Sequence, residues 1–200
     1  TTGEGGAITF KEFEFLDKKT STILEELRLL SLNGQNKSAF EKNKSGGWRY
    51  DIVTNGMKVN MPDINASIGL AQIRKYKNIL LPERKKLFLT YNNILSEYSW
   101  AILPASSGSN RESSYHLYQL RIKNFDEDRR NELISQMESR GIGVNVHYIP
   151  LPMLSYFKNQ GFDITTYPIS FKLYENEISL PIYNGLSLES IKFICDNLID

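Results

Sequence analysis

A mixed α/β fold is predicted for this chain, and three observations predict it. Apolar residues recur at helical spacing in several stretches, short β-branched and aromatic runs stand between them, and glycine, proline and asparagine separate the two kinds of segment. Two hundred residues are enough to bury a real core, and 40% hydrophobic with 24% charged residues is ordinary for a globular chain rather than a disordered or collagen-like one.

Taken in order, Ala7 to Phe15 reads as extended, with Ile8, Phe10, Phe13 and Phe15 following a glycine turn. Thr20 or Ser21 caps a helix to about Leu32, with Ile23, Leu24, Leu27 and Leu30 near the helical period and Asn33-Gly34 as its stop. Gln35 to Asn60 is polar and broken by Gly46, Gly47 and Gly56, a loop long enough to be functional or to meet a partner. Pro62 suits the first turn of a second helix, Asp63 suits its dipole, and Ile64, Ile68, Ala71 and Gln72 share a face. Leu81-Pro82 breaks or kinks that run before a further helical stretch to about Tyr98.

After a loop at Pro104 to Ser114, Tyr115 to Ile122 has strand character. Phe125 to Arg140 is a helix stopped by Gly141, and Ile142 to Ile149 is again strand-like. Ser187 to Ile199 closes as an amphipathic helix on Leu188, Ile191, Ile194, Cys195 and Leu198. The result is a small α/β or α+β unit behind a helical connector.

Composition removes several function classes. Lys plus Arg number 24 against 23 Asp plus Glu, so the chain lacks the basic excess of a nucleic-acid or anionic-membrane binder. No window approaches the ~18 consecutive apolar residues a membrane helix needs. Cys195 is the single cysteine, which forbids an internal disulfide or a Cys-pair metal site. The chain opens in turn chemistry, Thr1-Thr2-Gly3-Glu4-Gly5-Gly6, without a charged-then-apolar leader pattern, so a reducing cytoplasmic setting is expected and the Asn-x-Ser triplets at Asn36, Asn43 and Asn65 are read as chance.

The generic catalytic motifs are absent: no G-x-G-x-x-G, P-loop, H-E-x-x-H or G-x-S-x-G. His116 and His147 are the only histidines and stand far apart, too few for a metal-site argument, and a structural role is the plainer reading of each. The glycines of Gly3-Glu4-Gly5-Gly6 permit close approach to a ligand or simply an ordinary turn. Arg49 and Tyr50 are placed to recognise an anion or to sit in solvent. Residue chemistry alone stops at a soluble domain of unassigned role.

Five longer segments go further. Thr1-Thr2-Gly3-Glu4-Gly5-Gly6-Ala7-Ile8, Gly56-Met57-Lys58-Val59-Asn60-Met61-Pro62-Asp63-Ile64, Gly69-Leu70-Ala71-Gln72, Val146-His147-Tyr148-Ile149-Pro150 and Ser179-Leu180-Pro181-Ile182-Tyr183 occur in this order. Together they resemble the DegT/StrS family of pyridoxal-phosphate-dependent sugar aminotransferases, over almost the whole chain. The resemblance implies the C-terminal part of a fold-type-I aminotransferase. Residues 1–61 would be a remnant of the large cofactor-binding domain, 62–98 connecting helices and 99–200 a small α/β (α+β) domain.

It also implies the chemistry. The cofactor is pyridoxal 5'-phosphate, the substrate a nucleotide-linked keto-sugar, glutamate the amino donor, and the assembly a homodimer with shared active sites, acting in surface polysaccharide or glycoconjugate synthesis. The lysine that forms the Schiff base is expected three positions before Thr1, so no catalytic residue is assigned within the chain and the chain alone is expected to be inactive. By the same resemblance Asn60 and Lys58 contact the cofactor phosphate, and His147, Tyr148 and Glu4 lie at the substrate. Many relatives follow the His-Tyr pair with a second histidine where this chain has Pro152. Two other readings are a sugar 3-dehydratase on the same scaffold, with histidine replacing the lysine, and a non-catalytic dimerisation module.

Overall fold

The computed structural model describes residues 1–9, 14–15, 18–36 and 48–199. The chain divides into two compact units, Thr1–Arg74 and Lys75–Asp200, and the division falls within the 62–98 segment read as connecting helices.

In the first unit a short antiparallel pair, β1 (Glu14–Phe15) and β2 (Lys18–Lys19), leads directly into helix α1 (Thr20–Ser31). Most of the run expected to be extended before β1, residues 10–13, lies outside the described residues. Along α1, Ile23 and Leu27 are half-buried while Leu24 and Leu30 stay exposed, so only part of the expected apolar stripe is covered.

The end of α1 is built by its stop residues. Asn33 and Gly34 both take positive φ, 57° and 69°, and the Gly34 N–H returns to the Leu29 carbonyl at 2.7 Å, satisfying a terminal carbonyl. Residues 48–60 form no helix or strand, yet they are tied to this helix end. Met57 N–H donates to Leu30 O (2.7 Å), Asn33 N–H to Met57 O (3.0 Å), and Val59 and Asn60 N–H both donate to Ser31 O (3.0 Å). Two glycines make the crossing possible: a Cβ on Gly34 would lie 1.8 Å from the Thr54 carbonyl, and one on Gly56 would lie 2.5 Å from the Gly34 nitrogen.

Helix α2 (Asp63–Lys75) starts one residue later than Pro62, whose carbonyl accepts the Ala66 N–H at 2.9 Å. None of its residues is buried, and Ile64 and Ile73 are about three-quarters exposed at 76% and 75%. Among the described residues, every fully buried apolar side chain belongs to the second unit.

That second unit opens on a π-helical turn, Tyr76–Leu80, followed by α3 (Leu81–Leu95). Pro82 has no N–H to give to the carbonyl four residues earlier, and its ring crowds that carbonyl. The turn before it widens instead, with Leu81 N–H reaching back to Tyr76 O, so the expected break is a π bulge rather than a gap.

Strands β3 (Ala101–Ile102), β6 (Tyr118–Ile122) and β7 (Glu177–Leu180) form an antiparallel sheet with β6 in the centre. A hairpin of β4 (Ser107–Gly108) and β5 (Arg111–Glu112) lies in the stretch expected to be loop. The helices are α4 (Glu127–Ser139), capped by the Asp126 side chain on Arg129 N–H at 2.9 Å, α5 (Ser155–Asn159), α6 (Pro168–Tyr174) and α7 (Leu188–Ile199).

The two-residue period of the strands separates core from cavity. Tyr118, Leu120 and Ile122 with Ile178 and Leu180 face Leu87, Phe88, Tyr91 and Leu95 of α3, Met137 of α4, and Ile191, Ile194 and Cys195 of α7. Phe88 and Tyr91 pack on the Tyr118 ring at 4.9 and 4.6 Å between centroids. The buried phenols are satisfied, Tyr91 on the Pro181 carbonyl and Tyr118 on Asn92 Oδ1, both at 2.8 Å, and desolvation raises the pKa of each.

The strand expected over Ile142–Ile149 does not form. Only Asn145 pairs, with Ser179, in an isolated bridge. Gly143 weakens the run, Pro150 ends it, and the backbone of His147 bonds to side chains instead of to a neighbouring strand. No helix among the described residues is long and apolar enough to cross a membrane.

Candidate functional site

In the first unit, Lys58 and Asn60 are brought together on an exposed segment fixed by the backbone bonds to α1. Lys58 Nζ donates to Asn60 Oδ1 at 2.5 Å, leaving ammonium and amide donors side by side just before the start of α2. That donor set suits a phosphate group. Glu4 is exposed in the glycine turn, where the Thr2 hydroxyl donates to its carbonyl at 2.8 Å. No hydrogen bond or ion pair joins Glu4 to Lys58 or Asn60 among the described residues. The Arg49 guanidinium stacks on Trp48, 4.9 Å from the ring centre.

The second unit holds a cavity of about 560 Å³ on the polar face of the small sheet. Strand alternation supplies its floor. Gln119 and Arg121 point away from the core between Tyr118, Leu120 and Ile122, and Glu177 stands directly across from Arg121 in the β6–β7 register. His147 and Tyr148 form one side, joined by a cis peptide with their rings edge to face at 4.7 Å, and α6 lines another.

The backbone of His147 is held from both strands. Its N–H donates to Glu177 Oε2 at 3.0 Å, and Gln119 Nε2 donates to its carbonyl at 2.8 Å. The Ser179 hydroxyl occupies the other Glu177 oxygen at 2.5 Å. Glu177 is 4% exposed, and burial raises its carboxyl pKa despite these donors. His147 Nδ1 is buried and has no hydrogen-bond partner, while Tyr148 is 75% exposed.

Arg130 braces two residues that line the cavity, Tyr174 and Glu177. Its side chain is buried, donates through Nη1 to the carbonyls of Tyr174 (2.9 Å) and Glu177 (3.3 Å), and lies 4.6 Å from the centre of the Tyr174 ring. The Tyr174 hydroxyl in turn donates to Glu127 at 2.5 Å. The other histidine, His116, stands outside β6 on the surface, although its segment was expected to be strand. Among the described residues, no cluster of three or more His, Cys, Asp or Glu is arranged to hold a metal ion.

The sequence singled out Lys58, Asn60, His147, Tyr148 and Glu4, and the cavity adds Glu177, Gln119 and Arg121, which it did not. Their signal was the polar half of two alternating strands, Tyr118-Gln119-Leu120-Arg121-Ile122 and Glu177-Ile178-Ser179-Leu180.

The fold has known relatives, and they give the family. The profile of the DegT/DnrJ/EryC1/StrS aminotransferase family matches residues 1–199, and the chain belongs to that family. It is 29% identical over 206 residues to the spore coat polysaccharide biosynthesis protein SpsC of Bacillus subtilis, covering 100% of this chain and 50% of SpsC. It is 25% identical over 199 residues to the UDP-4-amino-4,6-dideoxy-N-acetyl-beta-L-altrosamine transaminase of Helicobacter pylori, covering 100% of this chain and 48% of that protein.

Among solved structures, Spr1654 of Streptococcus pneumoniae, assigned as a sugar aminotransferase, superposes in its PMP form with a TM-score of 0.89 at 40% identity, covering 98% of this chain and 48% of that one. Spr1654 is also known in a PLP form. The fold is therefore that of the corresponding part of a fold-type-I enzyme, and pyridoxal phosphate is the cofactor of the family. The chain spans about half the length of the curated relatives it matches.

Proposed function

We propose that this chain is the C-terminal half of a pyridoxal-phosphate-dependent aminotransferase that converts a keto group of a nucleotide-linked sugar to an amine. Glutamate is the donor and leaves as 2-oxoglutarate. The reaction serves surface polysaccharide or glycoconjugate synthesis in the cytoplasm, and the active sites are shared between the subunits of a homodimer. The observation that carries this reading is the likeness to Spr1654 along nearly the whole chain, at 40% identity. The names of SpsC and the Helicobacter transaminase support its sugar-nucleotide and polysaccharide setting.

Residues 1–61 belong in this reading to the large cofactor-binding domain, 62–98 to connecting helices and 99–200 to the small domain. Lys58 and Asn60 hold the cofactor phosphate through their ammonium and amide donors. When bound, the cofactor supplies an electron sink for proton movement at the carbon bearing nitrogen. The lysine that anchors it and carries that proton lies three positions before Thr1.

His147 and Tyr148 meet the sugar. Glu177 and Gln119 hold that histidine in place through its backbone. Glu4 orients the loop beside the anchoring lysine.

The test is turnover by the full-length protein with a nucleotide-linked keto-sugar and glutamate. An amino-sugar product with matching 2-oxoglutarate supports the reading. A deoxy-keto product formed by loss of water would assign a dehydratase instead, and no turnover with any nucleotide-linked keto-sugar would leave the non-catalytic module.

A further inference from the structure

The charge balance of the second-unit cavity points to a ligand. Two arginines line it, Arg111 from β5 and Arg121 from β6, and Glu177 is the single acid among its lining residues. Opposite charges facing each other across an antiparallel pair ordinarily form an ion pair. Arg121 and Glu177 face each other in register, yet no salt bridge joins them. The reason is visible: one Glu177 oxygen takes the His147 N–H and the other takes the Ser179 hydroxyl.

Arg121 therefore has no acidic partner among the described residues. Nor does Arg111, whose neighbour Glu112 pairs with Lys85 at 3.5 Å. Arg130, the remaining arginine close to Glu177, is already committed to the Tyr174 and Glu177 carbonyls. Beside the two free guanidinium groups lies the buried, partnerless Nδ1 of His147. A half-buried guanidinium keeps its charge and presents a planar fork of donors matched to two oxygens of one anion.

We propose that Arg121 and Arg111, with the ring of His147, form an oxyanion site that takes a carboxylate or a phosphate. It deepens the proposed function and rests on that reading only for the source of the anion: the diphosphate of the sugar nucleotide or the carboxylate of the amino donor.

The test is calorimetric titration of the full chain with inorganic pyrophosphate and, separately, with L-glutamate, alongside the Arg side-chain Nε–H signals in NMR spectra. Saturable binding of at least one probe is expected, with the Arg121 signal shifting. Arg121→Gln should weaken it about ten- to hundred-fold, the loss of a charge-assisted contact. Arg111→Gln, on the exposed hairpin where folding is not at risk, should weaken it in the same direction. Arg129→Gln removes a charge outside the cavity and should leave affinity unchanged.

Tighter binding of pyrophosphate assigns the nucleotide, and tighter binding of glutamate assigns the donor. Absence of binding by both probes at millimolar concentration overturns the site, as does binding that both cavity variants retain in full. Residue-dependent binding in a protein without amino transfer would keep the site and remove the proposed function. Amino transfer without anion binding would do the reverse.

Discussion

The buried carboxylate of Glu177 accepts the backbone N–H of His147 at 3.0 Å, so a residue of the last strand holds the cavity segment by its main chain rather than by its ring. Replacing Glu177 with Ala leaves that N–H and the Ser179 hydroxyl without their acceptor. A destabilisation of about 1–3 kcal/mol is expected, with faster hydrogen exchange at the His147 amide. Glu177→Gln keeps one acceptor oxygen and should recover most of the exchange protection. Urea melts and amide exchange on the three proteins check this.

The same carboxyl sets a pH dependence. Burial raises its pKa above the ordinary 4.5, so the folded state binds the proton more tightly than the unfolded state does. Its contribution to stability is full below the unfolded value and is lost as pH rises from near 4.5 through the raised folded value. Thermal melts across that window should show a downward slope in the wild type that is reduced in Glu177→Gln. An equal slope in both proteins would place the titration elsewhere.

Arg130 links α4 to α6 and β7 through two carbonyls and the Tyr174 ring. Arg130→Ala removes the cation and leaves those carbonyls without their donor. A loss of about 3 kcal/mol is expected by denaturant titration. Lysine lacks the planar fork, so Arg130→Lys should recover only a minor part of it.

Gly56 passes against the backbone of Gly34, where a methyl group has no room: its nearest neighbours are backbone atoms at 2.5 and 2.8 Å. Gly56→Ala should break the bonds of Met57 to Leu30 and Asn33 and release the Lys58–Asn60 segment. The expected cost to the first unit exceeds about 2 kcal/mol, read from exchange of the Met57 and Val59 amides.

Cys195 gives a report on the core of the second unit. It is fully buried, and burial pushes its thiol up to about 12. Thiol reagents should therefore label it only at the rate of unfolding, and rapid labelling of the native protein would contradict the packing around α7.

What the sequence made legible is what local periodicity encodes. Helices α1, α4 and α7 and the central strand β6 follow from helical spacing, the Asn33-Gly34 and Gly141 stops, and the alternation after Leu117. The four-residue β7 and the seven-residue α6, opening at Pro168, are too short to carry a period. Ile142 to Ile149 misled because β-forming side chains favour an extended chain without supplying a partner strand. His147 and Tyr148, which line the cavity, were singled out by family resemblance alone. Glu177, Gln119 and Arg121 were not legible, since their roles exist only once β6 and β7 pair and His147 folds over them.

The most direct measurement is the position of the cofactor on the full-length protein, found by borohydride reduction with pyridoxal phosphate and peptide mass analysis. The cofactor is expected on a lysine three positions before Thr1 and on none of the lysines of this chain. Stoichiometric attachment to a lysine within residues 1–200, or no attachment at all, would contradict it.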